Sequence, residues 1–288
     1  MVEREVESLN EQQMTVKKAL NNNVIIATHP LYKEVILIGK GIGFGKNKGD
    51  IVPQEQAEKT FLLKDEQEQA QYKQLVSYID PHVMEVLHEI MLLIEKRMDE
   101  TLHEHIHVAL TDHLSFAISR AHQNVQFSNP FLFEIESLYP KEFQVAQEVV
   151  SVIQERIGVT FPEGEVGFIA LHIHSAVTNK TIHDMNRHHQ LISKLVTIIE
   201  ENLNIELERN DINYNRLIQH LHRAIERAYQ GEQLGEQTNL AKVLKTTYPV
   251  CYNLAWKLIK VMQQQLHIRV DESEVLYLTI HLQRLTQS

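Results

Sequence analysis

The chain has 288 residues, 43% of them hydrophobic and 23% charged, with a formal net charge of -10, which leaves room for two or three domains and argues against long disorder. Cys251 is its one cysteine, so a disulfide framework or a cysteine-rich zinc module is excluded. No run approaches the roughly 18 apolar residues of a membrane span, and the acidic start MVEREVESLNEQQ is unlike a secretory signal, so a cytoplasmic protein without membrane insertion is expected.

Charge is unevenly placed. From Met14 to Val52, six lysines stand against Glu34 and Asp50, net +4, while the first acidic groups fall within residues 3–11. A small basic module therefore precedes a long acidic body. The whole-chain charge argues against nucleic-acid binding by the entire protein but leaves it open for that module.

In chain order, VKKAL (16–20), VIIAT (24–28), EVILIG (34–39) and KTFLL (59–63) read as strands, β-branched runs bounded by Asn, Pro and Gly. The Asn21–Asn23 triplet predicts a turn, because asparagine tolerates left-handed backbone. Residues 14–64 thus form a small, mostly antiparallel sheet, and four short strands bury so little that dimerisation or docking is expected.

The stretch GKGIGFGKNKG places glycine at 39, 41, 43 and 45. It fits neither G-x-G-x-x-G nor the Walker A spacing. Read as an extended strand, one face is stripped of side chains and the other shows Lys40, Ile42, Phe44 and Lys46. A flat basic surface with one aromatic suits stacking on a nucleobase with lysines on the phosphates. The alternative is a flexible hairpin tip.

From Pro81 the apolar period changes to about 3.6. Val83, Val86, Leu87, Ile90, Leu93 and Ile94 line one helical face, and further amphipathic helices are predicted near 102–122, 141–157, 163–178, 188–203, 211–229, 249–265 and 271–286. This all-α body repeats itself. LTDHLSFAISRA (110–121) aligns with LIQHLHRAIERA (217–228), and EVGFIALHI (165–173) with EVLYLTIHL (274–282). The period is a domain length, so two copies of one helical domain are expected, divided near residues 178–185.

Of 17 histidines, four occupy matching places in the repeat: His113 with His220, and His172 with His281. Each stands three residues into an apolar i, i+4, i+7 series, on or beside a packed helical face. One such histidine reads as core; four paired ones are hard to explain by packing alone. Metal ligation is disfavoured, because the His-x-His pairs 105/107, 172/174 and 220/222 point their rings about 200° apart on a helix. No nucleophile motif such as G-x-S-x-G is present, so an enzyme is not expected. Phosphorylation remains: a neutral imidazole nitrogen is a good nucleophile, and its N–P bond is labile enough to pass the group on.

The segments VKKALNNNV, VILIGKGIGFGKNKGD, ALTDHLSFAI, SLYPKEF and PEGEVGFIALHIHSA resemble the BglG/SacY-type transcriptional antiterminators, most closely their glucose-specific branch. The resemblance runs from about Met14 to Gln283. It implies a multidomain α and β protein: a small antiparallel β-sheet RNA-binding (CAT) domain, then two homologous all-α bundles, the PTS regulation domains. Boundaries of 14–70, 75–179 and 184–288 follow, with residues 1–13 an acidic leader outside the family pattern. It further implies a homodimer that binds a hairpin in nascent leader mRNA of a sugar-permease operon, with the phosphocarrier HPr and a sugar-specific enzyme II as phosphoryl donors, and no cofactor. By motif match Asn23, Gly39, Gly41, Gly43 and Phe44 fall where the family touches RNA, with Lys18, Lys40 and Lys46 as further candidates. His113, His172, His220 and His281 coincide with the phosphoacceptor positions. The competing readings are a DNA-binding activator carrying the same regulation domains and a phosphocarrier enzyme. The strand-like, glycine-rich first 60 residues disfavour the first, and the basic sheet disfavours the second.

Overall fold

The computed structural model describes residues 13–29, 33–61, 66–100, 102–103, 105–123, 125, 127–209, 211–232, 235 and 238–287. Nearly all of the acidic leader and residues 62–63 of the fourth predicted strand lie outside these.

The N-terminal part is a five-stranded antiparallel sheet: β1 (Met14–Ala19), β2 (Val24–His29), β3 (Lys33–Ile38), β4 (Ile51–Val52) and β5 (Lys59–Phe61), in the order β4-β1-β2-β3-β5. β4 escapes a sequence reading because two residues carry no alternation. The predicted turn at Asn21–Asn23 is present, for a different reason. None of the three asparagines has positive φ; instead the Asn21 side-chain oxygen accepts a hydrogen bond from the Asn23 N–H at 2.9 Å. In β1 the register slips by one residue between Val16, opposite Ala27, and Lys18, opposite Ile26. That bulge leaves Lys17 and Lys18 both exposed.

The chain leaves β3, pairs next with β1 at the far side, then returns to β3 through β5. Two segments therefore cross the sheet, and Ile42 and Ala57 from them pack on Met14, Val16, Ile25, Ala27, Val35 and Leu37. The opposite face, with Val24, Ile36 and Ile38, packs on Tyr72, Val76 and Met84 of the helices that follow. Both faces are thus covered within one chain, which explains why β2 and β3 read as continuous apolar runs rather than alternating ones.

Eleven helices follow among the described residues: α1 (Glu66–Tyr78), α2 (Pro81–Met98), α3 (His105–His122), α4 (Leu132–Leu138), α5 (Pro140–Ile157), α6 (Glu163–Thr178), α7 (Ile182–Leu203), α8 (Ile212–Gln230), α9 (Thr238–Thr247), α10 (Pro249–Leu266) and α11 (Glu274–Leu285). Eight match the predicted helices. α2 starts where Asp80 accepts bonds from the N–H groups of His82 and Val83, with Pro81 in the first turn. Its buried face is Met84, Val86, Leu87, Ile90, Met91, Ile94 and Met98. The methionines displace the expected Val83 and Leu93, which are half-buried. α1, α4 and α9 carry no clear signal: α1 is largely Glu and Gln, and the other two are short.

The chain packs into two compact units. The first holds the sheet and helices up to residue 128, together with residues 144–179; the second holds residues 129–143 and 180–288. The boundary in space thus differs from the repeat boundary in sequence. In the second unit α4 packs on α8, where the buried Tyr214 hydroxyl donates to Glu134 at 2.6 Å. The rest of that core comes from α7, α8, α10 and α11, with Leu195, Leu217, Leu258 and Leu278 fully buried. No helix of the described residues is long and apolar enough to cross a membrane.

Candidate nucleic-acid interface and histidine sites

The glycine stretch is not an extended strand. The N–H groups of Ile42, Phe44 and Lys46 donate to the carbonyls of Gly39, Gly41 and Gly43 at 3.0–3.2 Å. These are three overlapping turns, stepped by two residues, and that step is the origin of the glycine period. Gly41 (φ +71°) and Gly45 (φ +65°) take the left-handed place of the first and third turns. Gly39 and Gly43 are required by crowding: a Cβ would stand 2.5 Å from the Gln56 carbonyl oxygen and 2.1 Å from that of Asn21. The expected flat face is therefore corrected. Ile42 turns inward and is buried, while Lys40 and Phe44 point outward and Lys46 is half-buried.

The two turns are stitched together. The N–H groups of Gly39 and Gly43 donate to the carbonyls of Asn23 and Asn22, and that of Gly41 to the Asn23 side-chain oxygen at 2.8 Å. Asn23 thereby fixes the glycine turns with its side-chain oxygen. Asn23, Gly39, Lys40, Gly41 and Gly43 come together, and Phe44, 75% exposed, projects from the same turns. An exposed ring of that size with no core role offers a stacking surface for a base. Lys18 stands apart, exposed on β1 opposite Ile26. The Lys40 ammonium lies 3.6 Å from Glu85, and the Lys40 backbone N–H donates to the Glu58 carboxylate. The bond from His88, at 2.7 Å, and the nearby Lys40 hold the Glu58 carboxyl below its usual range against the effect of burial.

The four repeat-selected histidines form two sites of one geometry. In the first unit, His113 on α3 faces His172 on α6, ring centroids 4.8 Å apart. Buried Glu165 stands 3.2 Å from the His113 Nε2 and takes a 2.6 Å hydrogen bond from Arg120. In the second unit His220 on α8 faces His281 on α11 at 4.7 Å, with Glu274 at 3.3 Å from the His220 Nε2 and 2.7 Å from Arg227. Phe168 and Tyr277 sit beside the paired rings at 6.0 Å in either site. Burial, then the neighbouring His113 and His105, push His172 down to about 3. Burial, then His220, Arg284 and Arg216, push His281 down to about 4. Both rings are therefore neutral at pH 7, with a lone pair available for attack on phosphorus. Burial would raise Glu274, but the adjacent His220 and Arg227 outweigh it and hold the carboxyl below its usual range. Among the described residues no group of three or more His, Cys, Asp or Glu side chains could hold a metal ion.

The chain matches the PRD domain family over residues 88–176 and 193–285 and the CAT RNA binding domain family over residues 14–70. It is 50% identical over 272 residues to the PtsGHI operon antiterminator of Bacillus subtilis, covering 94% of this chain and 97% of that one. The chain belongs to the CAT–PRD family of antiterminators. To the GlcA/glcB genes antiterminator of Staphylococcus carnosus it is 39% identical over 274 residues, covering 94% of this chain and 96% of that one. The solved structure of GlcT CAT-PRDI is 53% identical, with a TM-score of 0.55, and is matched over its whole length by 58% of this chain. The stitched turns therefore belong to the CAT domain, and the two histidine sites to the two PRD domains. These relatives are named as antiterminators.

Sequence reasoning missed Glu165, Glu274, Arg120 and Arg227 as members of the PRD sites. The signal was present, because all four recur in the same aligned segments that picked out the histidines. It was missed because Glu and Arg on a helix ordinarily read as a solvated face, whereas both glutamates are buried.

Proposed function

We propose that this chain is a sugar-responsive transcriptional antiterminator that binds a hairpin in the nascent leader mRNA of a PTS operon, that of a glucose permease, as a homodimer. Its activity is set by histidine phosphorylation, with HPr and the glucose-specific enzyme II as donors. The observation that carries the reading is the coexistence of an exposed aromatic and lysines on a stitched pair of turns with two duplicated sites of paired histidines, one ring of each pair held neutral by burial. Lys18, Asn23, Lys40, Phe44 and Lys46 contact the RNA; the Gly39, Gly41 and Gly43 backbone shapes the turns that present them. His113 and His172 accept phosphoryl groups in the first PRD, His220 and His281 in the second.

The inhibitory event is phosphorylation of the first PRD. A phosphoryl group adds about -1.5 to -2 charge. Two unit charges about 8 Å apart at an effective dielectric of about 20 repel by roughly 2 kcal/mol, and two dianionic groups across a dimer axis exceed that several-fold. Inverting a two-state equilibrium from 99:1 takes about 5.5 kcal/mol, so this charge suffices to part a dimer. The second PRD is the weaker, activating modulator. The alternative of a DNA-binding activator is disfavoured by a strand-built N-terminal part. The test is binding of the glucose-permease leader hairpin by the full chain, before and after phosphorylation by the purified phosphocarrier with and without the permease domain. Failure to shift the RNA in either state refutes the reading.

A further inference from the structure

The two histidine sites share a frame but not a charge environment. On α8, Arg216, His220, Arg223 and Arg227 follow one another at i, i+4, i+7 and i+11 and share a face. On α11, His281 and Arg284 stand at i and i+3 and share another, and the two faces meet where the rings lie 4.7 Å apart. The charges of Arg216 and Arg284 act on His281. Arg227 bonds buried Glu274; the side chains of Arg216, Arg223 and Arg284 reach solvent.

The first site carries none of the three. The aligned places hold Ala109, Phe116 and Ser175. Phe116 is 62% exposed, and the Arg120 guanidinium lies 4.9 Å from its ring centroid while bonding Glu165. His105 bonds Ser175 at 3.3 Å, so an imidazole and a hydroxyl stand where the second site has a guanidinium.

We propose that Arg216, Arg223 and Arg284 make the second site a cradle for a dianionic phosphoryl group carried on His220 or His281, which the first site lacks. The inference rests on the reading of these histidines as phosphoacceptors and adds an asymmetry to it. In the second PRD the modified state is charge-compensated and held in place. In the first, the same group arrives beside aromatic rings and a guanidinium already bound to Glu165, so its charge is left to act on whatever lies opposite.

The test uses the full chain with ring-13C-labelled histidine, titrated with inorganic phosphate at neutral pH and followed by NMR. The His220 and His281 ring signals are expected to shift at concentrations about tenfold lower than those of His113 and His172. Arg216→Ala with Arg284→Ser is expected to abolish that difference, and Phe116→Arg, at an exposed position, to narrow it from the other side. Four rings that respond alike, or a difference unmoved by the arginine variants, overturns the proposal. In a second arm, phosphoramidate modifies the histidines without any carrier protein. The phosphoramidate P–N bond breaks, the histidine N–P bond forms, and ammonium leaves with the imidazole N–H proton. The second ionisation of the phosphoryl group, read by 31P NMR, is expected about one pH unit lower in the second site than in the first. Equal ionisation in both sites, even with tighter binding of free phosphate at the second, means that the arginines serve a free anion and refutes the proposal. Failure of the regulatory reading looks different: the arginine-dependent difference persists, but the purified phosphocarrier leaves all four histidines unmodified.

Discussion

Replacing Gly43 by alanine should abolish RNA binding, whereas Gly41→Ala should only weaken it. At Gly43 the new Cβ would lie 2.1 Å from the Asn21 carbonyl oxygen and 3.1 Å from the Ile25 side chain. The first clash is with backbone, so no rotamer change relieves it, and the two turns must separate. Separation breaks the 2.9 Å bond from the Gly43 N–H to the Asn22 carbonyl. Overpacking of this kind costs about 1–3 kcal/mol, and a buried N–H left without a partner about as much again. The sum, roughly 2–6 kcal/mol, is comparable with the stability of a small domain, so the turn pair gives way before the sheet does. At Gly41 a Cβ meets nothing within 4 Å, and the penalty is that of a left-handed alanine, about 1–2 kcal/mol. The assay is hairpin binding by gel shift alongside thermal unfolding of the full chain. Wild-type affinity for Gly43→Ala, or an equal loss for both variants, would refute the stitched-turn account.

Further outcomes follow from the same geometry. Phe44→Ala should cost about 1–3 kcal/mol of RNA affinity with little change in unfolding temperature, since its ring is exposed; unchanged affinity returns Phe44 to a passive role. With two or three lysines per chain on phosphates of a dimer, the log–log salt slope should be roughly -3 to -5, and a slope near zero sinks the electrostatic contribution. In a read-through reporter His113→Asp should be inactive and sediment as a monomer, and His113→Ala should be constitutive; a dimeric, active His113→Asp disproves the repulsion mechanism. For pH, the folded state holds His172 at about 3 and His281 at about 4 against the ordinary histidine value of 6.5. The unfolded chain therefore binds more protons between these limits, so their contribution is complete above pH 6.5 and is lost as pH falls towards 3–4, by at most about 1.4 kcal/mol per pH unit per histidine. Chemical denaturation of wild type and His172→Gln at pH 7 and 5 checks this, and identical pH dependence in the two refutes the burial of His172.

Much was settled by the amino-acid sequence alone. The switch from β-branched runs to a 3.6-residue period located the sheet and eight helices, because each burial pattern is local along the chain. Internal duplication isolated His113, His172, His220 and His281, since a repeat filters out residues that answer only to local surroundings. Three things needed tertiary structure. The glycine period of two was compatible with a strand and with overlapping turns, and only the carbonyls of Asn21, Asn22 and Gln56, distant in sequence, decide between them. Glu165 and Glu274 read as solvated residues until helix packing placed each against a histidine and an arginine. The depressed basicity of His172 and His281 arises from burial between helices far apart in the chain, a desolvation that no spacing of residues encodes.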